Sequence, residues 1–181
     1  MPVHGLCMDC HGENAEKIVE SDQPFPLFNG LVSLPPKTFK KVTHFELEGK
    51  YVHDPVNISC ALCHDAHGSD YEKGLYAPLQ EVCLTCHGPD AVLMYRTDQP
   101  FPLFGGRVIV PPKPFDNLKI LDLKNGRLGH PTANHPVSAP ATDDQKELTC
   151  DSCHRPHSAS TGPDLLVSPK ETLCTSSCHG L

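Results

Sequence analysis

Residues 60–87 read CALCHDAHGSDYEKGLYAPLQEVCLTCH and contain the pattern Cys-x-x-Cys-His twice. Further copies stand elsewhere in the chain of 181 residues, and the last copy has one extra residue between its cysteines. The copies use all ten cysteines: Cys7 and Cys10, Cys60 and Cys63, Cys83 and Cys86, Cys150 and Cys153, and Cys174 and Cys178. The histidines that follow them are His11, His64, His87, His154 and His179. A histidine therefore directly follows every second cysteine of the chain.

Three uses of so many cysteines are open: disulfides, zinc sites and haem attachment. Disulfide scaffolds and zinc ribbons also use closely spaced cysteines, and the spacing from Cys60 to Cys86 suits a zinc ribbon about as well as it suits haem. Neither needs a histidine after every second cysteine. Haem attachment does, because two thiols form thioethers to the porphyrin and the adjacent histidine binds the iron. We therefore expect five covalently bound haem c groups, with the motif histidines as proximal ligands.

The histidines outside the motifs are candidates for the second axial position of each iron. They are His4, His44, His53, His67, His130, His135 and His157. Since these seven histidines outnumber the five expected irons, every iron can have two histidine ligands. The methionines are only Met1, Met8 and Met94, so the His/Met ligation that raises a haem potential is at most exceptional. We expect an electron carrier and no enzyme activity, because a catalytic haem needs an open coordination position.

An internal repeat orders the haems. At an offset of 76 residues, residues 22–39 share thirteen of eighteen positions with residues 98–115. Past an insertion of fourteen residues the offset is 90, and the second haem motif then aligns with the fourth. We divide the chain into a first repeat, 1–82, with haems 1 and 2, and a second, 83–181, with haems 3 and 4 and the terminal haem 5. Together they are expected to form one compact or elongated domain.

The repeat also separates the candidate distal ligands. His67 and His157 each follow a motif histidine by three residues, and on a helical turn such neighbours share one face. Neither can then bind the opposite side of its neighbour's iron, so each is expected to serve a different haem. The other candidates that correspond between the repeats are His53 with His135 and, more loosely, His44 with His130. His4 has no counterpart, and it is either a residue of a frayed end or a further ligand.

The segments between haems 1 and 2 and between haems 3 and 4 favour β-hairpins. Asn29-Gly30 and its counterpart Gly105-Gly106 are two-residue turn signals between short apolar runs, and a Pro-Pro pair ends each hairpin. Second hairpins are expected over 42–52 and 118–128. Seven Phe, four Tyr and no Trp supply little large apolar surface. The expected fold is that of a multihaem cytochrome with little regular secondary structure: short helices at the haem motifs, short β-hairpins and a core of stacked haems.

Composition narrows the partners and the location. The net charge is -7 and no basic block occurs, which argues against nucleic acid as a partner. No run of eighteen apolar residues occurs, so no membrane span is expected. Covalent haem attachment takes place on the outer side of a membrane. We therefore expect an extracellular or cell-surface protein, or alternatively a periplasmic one, exported by a signal peptide that is absent from this chain.

Two segments resemble a known family. His53-Asp-Pro-Val and His135-Pro-Val each lead into CxxCHxxH and then into another attachment motif, over 53–87 and 135–179. This order resembles the doubled-CxxCH modules of multihaem c-type cytochromes, which include periplasmic electron shuttles and extracellular conductive filaments. In such filaments the subunits stack their haems end to end, and a histidine near the N-terminus completes a haem of the neighbouring subunit. His4 matches that position.

The resemblance implies a pentahaem electron conduit that polymerises with itself into an extracellular filament. Other redox proteins or extracellular acceptors would be its further partners. The alternative is a monomeric periplasmic shuttle that serves a terminal reductase.

Overall fold

The structure, a computed structural model, describes residues 3–43, 47, 49–89, 91–113, 115, 123–124, 127–128, 139–140 and 147–175. Its helices and strands are short, with nine residues at most. The α-helices are α1 Val3–His11, α2 Ala15–Glu20, α3 Asp54–Ile58, α4 Leu79–His87, α5 Ala91–Arg96 and α6 Lys170–Cys174. The strands are β1 Phe25–Leu27, β2 Val32–Leu34, β3 Tyr51–Val52, β4 Phe101–Leu103, β5 Val108–Val110, β6 Leu123–Lys124, β7 Arg127–Leu128 and β8 Ser158–Ala159.

Short 3₁₀ helices complete the secondary structure of this part of the chain: Cys60–Leu62, Glu72–Gly74, Phe104–Gly106 and Cys150–Ser152. The expectation of little regular structure, with helical turns at the haem motifs and small hairpins, is confirmed. Among the described residues, no helix combines the length and the apolar character that crossing a membrane requires.

The hairpins predicted between haems 1 and 2 and between haems 3 and 4 are present. Strand β1 pairs antiparallel with β2, and β4 pairs with β5 in the same register. Both β2 and β5 end directly before a Pro-Pro pair, as expected from the missing amide hydrogen of proline. The two copies of the repeated segment thus fold in the same way.

The predicted two-residue turn at Asn29-Gly30 is wrong in length. Leu27 pairs with Val32, which leaves a loop of four residues, and Phe28 and Asn29 both have a positive φ. The amide of Phe28 donates to the Asp9 carboxylate at 2.5 Å, so it is not available to the ladder. In the second hairpin Leu103 pairs with Val108 and Phe104 likewise has a positive φ, so the same four-residue loop recurs and the two-residue turn predicted at Gly105-Gly106 is wrong as well.

Of the two further hairpins predicted from the sequence, one agrees with the structure and the other does not. Strands β6 and β7 pair antiparallel around residues 125 and 126, in agreement with the hairpin expected over 118–128. The hairpin expected over 42–52 is wrong for Tyr51 and Val52, because these residues pair with Ala159 and Ser158 of strand β8. The β3–β8 pair joins the first repeat to the second.

The largest apolar cluster of the described residues belongs to the second hairpin. Met94, Leu103, Val108, Val110 and Phe115 are buried there. Leu62 and Tyr76 of the first repeat pack against this cluster, and the Tyr76 ring stacks on Phe104 with 5.1 Å between centroids. The second hairpin is therefore buried on the first repeat, beside the second haem motif.

The first hairpin has almost the same sequence but a different environment. Val32 and Phe39 are 42% and 43% exposed, whereas their counterparts Val108 and Phe115 are 7% exposed each. The difference follows from position, because only the second hairpin has a preceding repeat to pack against. The same residue types consequently contribute unequally to stability.

This asymmetry can be measured with one matched pair of variants. We expect Phe115→Ala to lower the free energy of unfolding by about 3 to 5 kcal/mol, because it opens a cavity in a buried cluster. Its counterpart Phe39→Ala should cost about 1 kcal/mol, since that ring is half exposed. Denaturant titration followed by far-ultraviolet circular dichroism gives both values. Equal losses would contradict the packing described here.

Candidate functional site

The first and third motifs lie in the last turns of helices α1 and α4. A glycine follows each motif histidine, and its amide donates to the carbonyl four residues back: Gly12 to Met8 at 2.8 Å and Gly88 to Leu84 at 2.7 Å. A Cβ at Gly12 would lie 2.6 Å from the Met8 carbonyl oxygen. Glycine is therefore needed where the backbone passes this close to the end of each helix.

The second and fourth motifs are built differently. Each begins as a 3₁₀ turn, Cys60–Leu62 or Cys150–Ser152, and the turn ends before the histidine. Side chains cap both turns: the Ser59 hydroxyl accepts from the Ala61 amide, and Thr149 forms a capping box with Ser152. Beyond the turn, His64 and His154 enter isolated β-bridges with Leu75 and Leu166.

Three motif histidines share one hydrogen-bonding pattern. Nδ1 of His64 donates to the Lys73 carbonyl at 2.8 Å, and Nδ1 of His154 donates to the Asp164 carbonyl at 2.7 Å. In the first motif, Nδ1 of His11 donates to the Thr43 carbonyl at 3.0 Å. A carbonyl oxygen only accepts, so the hydrogen is on Nδ1 and the lone pair of Nε2 is left for a metal.

The assumption that His64 and His67 lie on one helical turn is wrong. The turn ends at Leu62, so helical spacing does not put the two rings on one face. The structure instead places the ring of His157 beside His64, with 6.0 Å between centroids and 21° between the planes. The ring of His53 lies 5.9 Å from that of His87, at 18°. His67 is exposed.

The β3–β8 pair positions both of these spare histidines. The amide of His53 donates to the His157 carbonyl at 2.9 Å, directly after the strand pair. Nδ1 of His53 donates to the Pro156 carbonyl at 2.9 Å. Gly49 adds a further bond to this junction, because its amide donates to the Ser158 hydroxyl at 3.2 Å. His53 and His157 are therefore held by the same junction between the repeats.

Burial affects the charge of these rings. It lowers the pKa of His53 and of His157, and neighbouring imidazoles lower both pKa values further. Both rings are therefore neutral over a wider pH range than a free histidine. Neutral imidazole is the form that binds a metal.

The attachment cysteines approach each other in pairs from different motifs. Burial, and next the nearby thiol of Cys7, raises the pKa of Cys60, while the thiol of Cys150, and next burial, raises the pKa of Cys83; these two pairs of thiols correspond in the repeat. Burial, and next the nearby thiol of Cys86, raises the pKa of Cys63 to about 11. Site 1 is therefore next to site 2, site 2 next to site 3, and site 3 next to site 4.

Not every predicted site residue falls within the described part of the chain. His44, His130, His135, Cys178 and His179 lie outside it, and for His4 and Cys174 only the backbone is described. Sequence reasoning missed the carbonyls of Thr43, Lys73, Pro156 and Asp164 that orient the rings. No sequence signal marks them, because any residue can supply a carbonyl oxygen.

The donor set suits haem c. Paired thiols stand next to histidines whose Nε2 is left for a metal, in the order that thioether attachment and iron ligation require. The family model of the doubled CXXCH motif matches residues 53–92 and 139–180. The match indicates a c-type multihaem cytochrome with covalently bound haem c, which carries electrons. Neither a curated protein nor a solved structure matches the chain significantly.

The junction between the repeats can be tested at Gly49. A Cβ at this position would lie 2.3 Å from the Ala159 amide nitrogen, so Gly49→Ala should push strand β8 away. We expect a loss of about 1 to 3 kcal/mol in the free energy of unfolding, as for other overpacked sites. The exposed Lys41 provides the control, since Lys41→Ala should change stability little. Unchanged stability of the Gly49 variant in denaturant titration would contradict the close contact.

Proposed function

We propose that the chain is a pentahaem c-type cytochrome that carries electrons along a row of bis-histidine haems. The observation that carries the count of five is the likeness of helix α1 to helix α4. Both have nine residues and end in CxxCH followed by glycine, with the same amide contact at that glycine. The first motif, which stands outside the matched segments, is thus built like the third, which lies inside one of them.

Haem c, when bound, supplies an iron that changes between its ferric and ferrous states and so exchanges single electrons with a neighbour. The chain's part is to hold the groups in order. The neighbouring thiols of Cys7 and Cys60, of Cys63 and Cys86, and of Cys83 and Cys150 support a row in the order 1, 2, 3, 4. Neutral imidazole ligands favour a low potential, since methionine ligation would raise it.

We also propose that the protein polymerises into an extracellular or cell-surface filament. His4 and His11 are seven residues apart in one helix, which is about 10 Å along its axis. Seven residues are almost two full turns, so both positions lie on one face of the helix, which does not suit ligands on opposite sides of one iron. His4 is therefore suited to a different haem, and the resemblance to filament subunits suggests one in a neighbouring copy. A monomeric periplasmic shuttle is the alternative, in which all ligands come from the same chain.

The haem count and the coordination state test the first proposal. The intact mass of the purified protein should exceed that of the polypeptide by five haems, and the Cys7→Ala/Cys10→Ala variant should carry four. The reduced wild-type protein should bind no carbon monoxide, because no iron has an open position. Four haems in the wild-type protein would refute the count, and stoichiometric carbon monoxide binding would favour an enzyme.

Electron microscopy tests the second proposal. Wild-type protein at high concentration should form filaments, and His4→Ala should abolish them while the haem count is unchanged. The exposed Glu13→Ala, just after the same helix, is the matched control and should form filaments as before. Filaments of the His4 variant would refute ligation between copies. A strictly monomeric wild-type protein would favour the shuttle.

A further inference from the structure

Two pairs of histidine rings occupy the junction between the repeats. His64 faces His157, and His87 faces His53. Each pair combines one motif histidine with one histidine from outside the motifs. From these pairs we infer that haem 2 is ligated by His64 and His157, and haem 3 by His87 and His53. The inference rests on the proposed function, since it presupposes bis-histidine haems at both sites.

The ring separations agree with this assignment. Imidazoles that bind one metal from opposite sides have centroids about 6 Å apart, since metal–imidazole nitrogen bonds are about 2 Å long. The observed separations are 5.9 and 6.0 Å, and the planes are within 21° of parallel in both pairs. The repeat does not relate the pair His64–His157 to the pair His87–His53. The same geometry has therefore arisen twice in different local surroundings.

The hydrogen bonds of the rings point the same way. In each pair one ring, His64 or His53, donates from Nδ1 to a backbone carbonyl, of Lys73 or of Pro156. This bond fixes the orientation of the ring and keeps its Nε2 as a lone-pair donor. The competing explanation is incidental stacking of two imidazoles. Incidental stacking does not require Nδ1 to be held at both sites.

The assignment makes the two repeats exchange ligands in both directions. Haem 2 is attached to the first repeat at Cys60 and Cys63, and His157 comes from the second repeat. Haem 3 is attached to the second repeat at Cys83 and Cys86, and His53 comes from the first. Haem 2 and haem 3 would thus each be a bond between the repeats, in addition to the β3–β8 pair and the packing of Leu62 and Tyr76 against the second hairpin.

The experiment uses the haem-loaded chain with His157→Ala. One haem per chain should become high-spin and should bind carbon monoxide when reduced. The variant His157→Met should keep that haem low-spin and raise its potential, because a thioether ligand favours the ferrous state. The exposed variant Ser160→Ala, which changes no charge, should leave spin state, carbon monoxide binding and potentials unchanged.

Removal of single haems identifies which iron has opened. In a Cys60→Ala/Cys63→Ala background, which lacks haem 2, His157→Ala should create no additional carbon monoxide site. In a Cys150→Ala/Cys153→Ala background, which lacks haem 4, it should still create one. The parallel test for His53→Ala uses Cys83→Ala/Cys86→Ala, which lacks haem 3.

The outcomes separate this inference from the proposed function. A wild-type chain with fewer than five low-spin haems would refute the proposed function. A wild-type chain with five, in which His157→Ala opens haem 4 or opens none, would refute only the ligand assignment. If the haem-deleted chains do not fold, a structure of the haem-loaded wild-type protein decides, since any other ligand pair at haem 2 or haem 3 overturns the assignment.

Discussion

The antiparallel pairing of Tyr51 and Val52 with Ala159 and Ser158 is the contact on which the rest of the arrangement depends. It is only two residues long, and more than a hundred residues separate its strands in sequence. A pairing of this kind is weak by itself, because closing so long a loop costs conformational entropy and two residue pairs return little. The packing of Leu62 and Tyr76 against the second hairpin, and in our proposal two haem irons, therefore add to its stability.

The sparse apolar core is consistent with that view. Few large side chains are buried, and the main cluster, around Val110 and Met94, lies under the second hairpin rather than between two layers of secondary structure. The described part of the chain has no buried polar or charged residue, so polar networks do not replace the missing apolar contacts. A chain with so small a core needs other cross-links, as small domains with disulfides or metals do. Covalently attached haem would supply them at several places.

The features that the sequence predicted correctly are local ones. The apolar runs beside Asn29-Gly30 and Gly105-Gly106, with the Pro-Pro pairs behind them, predicted both hairpins, and the cysteine spacing predicted helical turns at the motifs. The hairpin expected over 42–52 failed because a distant segment competes with a local signal: strand β8 pairs with β3 in place of the expected hairpin partner. The error in turn length is local, since both hairpins have the same four-residue loop.

The candidate site divides in the same way. The thiols and motif histidines can be read directly from the sequence, because attachment chemistry fixes their order within five or six residues. The orientation of the rings depends on carbonyls such as those of Lys73 and Pro156, nine and 103 residues away from the histidines that they bind. Backbone oxygens carry no residue-specific signal, so the sequence could not identify them. The histidines outside the motifs can therefore be counted from the sequence. Which motif histidine each of them lies beside depends on which strands pair.

The repeat shows why similar sequences need not have similar roles. The hairpins share most of their residues and the same register, yet strand β5 of the second is largely buried whereas strand β2 of the first is mostly exposed, because the second hairpin packs against Leu62 and Tyr76 of the preceding repeat. The same reasoning applies to His67 and His157, which correspond in sequence. The ring of His157 lies beside His64 because the second repeat packs on the first. His67 lies in the first repeat and is exposed. Duplication thus preserves the local fold of each copy, but the surroundings of each copy decide which histidines can face a haem motif.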